Sequence, residues 1–106
     1  MIRQVKHGVK NLIQWFPVVW NDRQWDYGYF YPILQKKLEL MEKFFRTRSH
    51  SVDGDKQADK IKYAILLLNR LIEDDYWEKK NGGYLKKQDM DELFNHIRKH
   101  LESWWD

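Results

Sequence analysis

Apolar residues recur at helical spacing along nearly the whole chain, and this constrains the fold more than any other feature. Val5, Val9, Leu12, Phe16 and Val19 share one helical face. Leu34, Leu38, Met41 and Phe45 step by four, three and four, with Ile33, Leu40 and Phe44 beside them. Ile61, Ile65, Leu68 and Ile72 form a third stripe, widened by Ala64, Leu67 and Leu71. Met90, Leu93, Phe94, Ile97, Leu101 and Trp104 form a fourth. No stretch alternates strictly enough to read as a strand. The expected fold is all-α: a small bundle of about four helices with a long antiparallel central pair, in a single helical domain over residues 1–106.

The breakers between these stripes set the expected boundaries. Pro17 removes a backbone donor and disfavours helix at Phe16, so the first helix is expected to run to about Trp15 and then kink. Asn21-Asp22 closes that segment. Asp26 reads as an N-cap for a second segment over about 26–46, with Pro32 suited to the first helical turn. Residues 47–55, Thr-Arg-Ser-His-Ser-Val-Asp-Gly-Asp, form the clearest loop, with Asp53 or Asp55 capping the next helix. The third helix is expected from about Lys56 to Lys80, stopping at Asn81-Gly82-Gly83, and the fourth from about Gln88 to Trp105.

A chain that is 42% hydrophobic and 33% charged has enough apolar surface for one core under a heavily charged exterior. It has no cysteine, which excludes disulfides and thiolate metal sites. No apolar run reaches the ~20 residues of a membrane span, and Met1 to His7 does not read as a signal peptide. A cytoplasmic protein is expected. The net charge of +3 is mild and its residues are interspersed, without the basic stripe of a dedicated nucleic-acid binder.

Residues 15–31 hold eight aromatic side chains, together with Asp22, Arg23 and Asp26. Such a cluster is either core, interface, or a platform on which a flat ligand stacks. The helical period assigns Trp15, Phe16 and Trp20 to packing, with Arg23 pairing an Asp to fix the turn. That leaves Trp25, Tyr27, Tyr29 and Tyr31 as candidate binding residues, since they cannot all face one core; stacking a base on an aromatic contributes roughly 1–3 kcal/mol. A second candidate group is Lys43, Arg46, Arg48 and His50, at and beyond the end of the second helix. Arginine matches phosphate geometry, although the same residues also suit the dipole of an ordinary helix C-terminus. Along a straight helix the two groups lie about 20 Å apart, so an antiparallel dimer is the arrangement that brings both to one ligand.

Other chemistry is weaker. Glu39 and Glu42, with Glu73, Asp74 and Asp75, loosely resemble the magnesium-holding carboxylates of all-α nucleotide pyrophosphohydrolases. The second half of that pattern is missing, since Tyr76 stands three positions after Glu73, and a solvated charged face accounts for the same residues. His96 and His100 are four apart but lack the intervening glutamate of a metalloprotease helix. No nucleophile elbow, phosphate loop or dinucleotide fingerprint occurs, and no cofactor is implied.

The stretches Gly8-Val9-Lys10-Asn11-Leu12, Trp15-Phe16, Val19-Trp20-Asn21-Asp22-Arg23-Gln24-Trp25-Asp26 and Lys37 to Phe45 resemble a family of small tailed-bacteriophage proteins. The similarity continues through Leu66 to Ile72 and on to Asp75-Tyr76, covering roughly residues 8–77. The family carries no activity that transfers residue by residue. The resemblance implies a phage origin and a role in the cytoplasm of an infected bacterium, where small accessory proteins block a host protein or sequester a nucleotide signal. The resulting expectation is a non-catalytic, oligomeric anti-defence protein that binds a nucleotide-like anion. The alternatives are an inhibitor or adaptor of a host factor, and a magnesium-dependent pyrophosphohydrolase.

Overall fold

The computed structural model describes residues 2–49 and 52–105. Four α-helices occur in order: α1 (Ile2–Asn21), α2 (Phe30–Thr47), α3 (Gly54–Glu73) and α4 (Gly82–His100). Single 3-10 turns at Tyr27–Tyr29, Tyr76–Glu78 and Leu101–Ser103 connect or finish them. No strand occurs among the described residues, and no described helix is long and apolar enough to cross a membrane.

The core is a three-helix unit centred on α3. Eight α3 residues are buried, among them Ile61, Ala64, Leu67, Leu68 and Leu71. Burial around so much of its circumference is what a helix clamped on two sides requires. On one side α2 lies antiparallel, contributing Leu38 and Phe45, with Leu34 and Met41 partly covered. Arg46 bonded to Asp59 and Gln35 to Asn69 mark the register. On the other side α4 contributes Leu93, with Met90 and Ile97 at its edge. There the register is marked by Tyr63 with Glu92 at 3.2 Å and Arg70 with Asp89 at 3.2 Å. The stripes read from α2, α3 and α4 are thus largely the core stripes, although Ile33, Phe44, Ile72, Phe94 and Leu101 remain exposed.

Two glycines allow the tight connections. A Cβ on Gly54 would stand 2.6 Å from the carbonyl oxygen of Phe45, where α3 starts against the end of α2. A Cβ on Gly82 would stand 1.8 Å from the carbonyl oxygen of Tyr76. This second contact corrects the expectation that Asn81-Gly82-Gly83 stops the third helix. α3 ends earlier, at Asp74, whose backbone is left-handed with φ 49°, and the glycines instead open α4 with Asn81 as N-cap. Short polar side chains tolerate the left-handed region, so aspartate here takes the role usually given to glycine. Tyr76 then turns inward, and its hydroxyl donates to Asp89 Oδ2.

α1 departs furthest from expectation. It runs unbroken through Pro17, at a cost of about 3 kcal/mol relative to an ordinary residue. Beyond the proline, Asn21 Nδ2 donates to the carbonyl of Pro17 at 2.9 Å. None of its residues is buried. Phe16 and Trp20, assigned to packing from the sequence, are 61% and 71% exposed and stack on one another on the outside. The least exposed α1 residues are Gln14, Trp15 and Val18, on a different side from the apolar stripe. α1 therefore rests on α2 by the side that carries these three residues and not by its apolar stripe. The radius of gyration is 15.9 Å, against the ~13 Å of a compact chain of this length.

Candidate functional site

Where α1 crosses the C-terminal half of α2, the two helices and the chain end enclose an open groove of about 550 Å³. α1 supplies His7, Lys10 and Trp15; α2 supplies Lys37, Lys43 and Phe44; Arg48 comes directly after α2. Trp104 and Trp105, beyond the last 3-10 turn, close one side. The spacing explains the convergence. His7, Lys10, Asn11 and Gln14 form one α1 stripe, and Lys37, Leu40, Met41, Phe44 and Arg48 form one α2 stripe. The groove thus combines four permanent cations with an imidazole and several large aromatics, and no carboxylate occurs among its described lining residues. Like charges gathered without counter-ions raise the local potential and draw anions.

One donor in this region is left without an acceptor. Trp104 is buried, and its indole Nε1 finds no hydrogen-bond partner among the described residues. An unmet buried donor costs about 1–3 kcal/mol.

The predicted site residues divide between the two ends of α2. Lys43 and Arg48 line the groove. Arg46 lies on another face, its Nε 3.0 Å from Glu42 and a terminal nitrogen 2.9 Å from Asp59. Those bonds, that to Asp59 first, hold its guanidinium above its ordinary pKa and commit its donors. His50 lies outside the described residues.

At the opposite end, Tyr31 is buried, and Tyr27 meets it edge-on with ring centroids 6.2 Å apart. Burial, then the neighbouring Tyr27, raises the Tyr31 pKa. Lys86 lies 6.0 Å from the Tyr27 ring and 3.0 Å from Asp74, whose hydrogen bond is the main reason its own pKa is raised. Tyr29 is part-exposed, and Trp25 stands 83% exposed in the turn. Asp26 caps the 3-10 turn by accepting from the Gly28 amide at 2.8 Å. Arg23 does not pair with an aspartate carboxylate as expected. It donates instead to the backbone carbonyls of Asp22 at 2.7 Å and Trp20 at 3.4 Å. The two predicted groups are therefore not brought together within one chain.

The acidic residues are also kept apart. The α2–α3 register sets Glu73 level with the first turn of α2, about 12 Å along the axis from Glu39. Glu42 is bonded to Arg46. Among the described residues, no group of three or more histidines and carboxylates is placed to hold a metal ion. His96 and His100 do meet, with ring centroids 4.6 Å apart, but His96 Nε2 is engaged by the carbonyl of Lys60 at 2.7 Å.

His7, Lys10, Lys37, Trp15, Phe44 and both C-terminal tryptophans were absent from the sequence-based site. The signal existed as a polar-basic stripe on α1 and a mixed basic and apolar stripe on α2, but only the crossing of α1 over α2 makes them one surface. No family model matches the chain, and neither a curated protein nor a solved structure is similar to it.

Proposed function

We propose that this chain is a non-catalytic binding protein that captures a nucleotide-like anion in the groove between α1 and α2. The observation that carries the reading is the pairing, in one groove, of Lys10, Lys37, Lys43 and Arg48 with Trp15, Phe44 and Trp105, backed by the buried Trp104. Arginine and lysine hold phosphate through charge-assisted hydrogen bonds. Indole and phenyl faces hold a base by stacking. The volume suits a small molecule, within the ~300–1,000 Å³ range of ligand sites. In this reading the tyrosines at the start of α2 brace the corner that holds Asp74 and Lys86, and the ligand-facing aromatics are chiefly tryptophans. The resemblance to tailed-phage proteins supports the setting: an accessory factor in the bacterial cytoplasm that removes a nucleotide signal from a host defence.

Three tryptophans in the groove make the test direct. Titration with mono-, di- and cyclic dinucleotides is expected to quench tryptophan fluorescence. Lys43→Ala combined with Arg48→Ala should weaken binding at least about tenfold, the loss of one strong charge-assisted contact. Unaltered fluorescence with every nucleotide at millimolar concentration would sink the reading. A second reading, an inhibitor or adaptor of a host protein, is favoured by Trp25, which projects from the turn as interface anchors do. A host protein retained by the wild type and lost with Trp25→Ala, alongside absent nucleotide binding, would move the assignment there.

A further inference from the structure

The outer side of α1 carries a strict seam. Ile2, Val5, Val9, Leu12, Phe16 and Val19 are spaced by steps of three, four, three, four and three, the a/d repeat of a coiled coil. All six are exposed, between 49% and 76%. Pro17 falls at a b position, away from the seam, so its ring does not obstruct a partner. With the flanking Ile13 and Trp20, this face exposes on the order of 1,000 Å² of accessible surface, against the ~800 Å² per partner of a standard stable interface.

We infer that the occupant of this face is α1 of a second copy, packed antiparallel. Three features select that partner and direction. The seam is self-complementary in size when reversed: Ile2 meets Val19, Val5 meets Phe16 and Val9 meets Leu12, so each pair sets a larger side chain against a smaller one. The charges are complementary only in reverse. α1 carries Arg3 and Lys6 in its first half and no carboxylate, whereas Asp22 lies just beyond its C-terminal end, with Arg23 committed to backbone carbonyls. An antiparallel pair sets Arg3 of each copy opposite Val18, about one helical turn from the partner copy's Asp22, while a parallel pair stacks like charges. The macrodipoles also oppose favourably in that direction. The contact is isologous and closes as a two-fold dimer. His7, Lys10, Asn11 and Gln14 line the groove from another side of α1, so the dimer leaves the groove open and its existence is independent of the ligand there.

Analytical ultracentrifugation over roughly 1–100 µM protein tests the association. The wild type is expected at twice the 13.2 kDa chain mass at the upper end. Leu12→Glu with Phe16→Glu is expected at the monomer mass, with its helical circular dichroism intact because neither residue is buried within one chain. The chain has no cysteine, so direction can be read by oxidation. A mixture of Val5→Cys and Phe16→Cys chains should form a disulfide-linked dimer that neither gives alone. A wild type that stays monomeric, a double glutamate variant that stays dimeric, or cross-linking of Val5→Cys with itself would each overturn the assignment. Loss of the nucleotide reading alone would leave these results unchanged.

Discussion

α1 and α3 are each twenty residues long and both amphipathic, yet they end in opposite situations. α3 buries eight residues between two neighbours. α1 has the sharper separation of apolar and polar faces and buries none. The difference is in partners, not in intrinsic helix character. The connections on both sides of α3 fold α2 and α4 back against it. α1 is joined to α2 through the Asp22–Tyr29 corner, which the Asp26 cap and the Arg23 carbonyl contacts hold, and it faces α2 with the side that carries Gln14, Trp15 and Val18. An apolar stripe states that a helix needs a covered face; it does not state that the same chain supplies the cover.

Substitutions can break this comparison if it is wrong. The largest effect is expected from Gly82→Ala, since the new methyl group would overlap the Tyr76 carbonyl and force the start of α4 away from the Tyr76–Glu78 turn. A loss of roughly 4 kcal/mol or more in urea denaturation is expected. Wild-type stability for this variant would show that the α3–α4 connection has room to spare at Gly82.

The next effect is a matched pair of leucines. Leu68→Ala empties a fully buried position on α3 and should cost roughly 3 kcal/mol. Leu12→Ala on α1, measured at a dilution that keeps the chain monomeric, should cost under about 0.5 kcal/mol. Equal losses would mean that α1 packs into the core and that the two helices do not differ.

The smallest effect concerns pH. The His100 pKa lies below its ordinary value, mainly through burial, then through His96, Lys60 and Lys99. The unfolded chain therefore binds the proton more readily than the folded one. The contribution of neutral His100 is fully present above pH ~6.5 and is lost as pH falls through its folded-state pKa. Melting temperature should drop slightly between pH 7.5 and 5.5, and His100→Asn should flatten that drop. An unchanged slope in the variant would remove His100 from the account and place the acid sensitivity elsewhere.

Much of the three-helix unit was legible in the sequence because burial there tracks the 3.6-residue period. Leu38, Phe45, Ile61, Ile65, Leu68 and Leu93 all lie on stripes read without coordinates. The misplaced boundary at Asn81 has a local cause. Glycine usually ends helices through its left-handed backbone, but Gly82 is required for close approach to Tyr76, and Asp74 supplies the left-handed cap instead. Less of the site was legible. Lys43 and Arg48 were visible as a basic helix end, while their companions lie on α1 and at the chain terminus, far away in sequence.

By itself, the sequence determined the all-α class, the number of helices and the inward stripes of α2, α3 and α4, because these depend on local spacing and breakers. Only the tertiary structure decided which side of α1 meets α2, and with it where the basic groove lies and which apolar face is left uncovered. The physical reason is that a hydrophobic stripe has no preferred partner until chain connections set direction, and the spacing of residues along one helix carries no record of that direction.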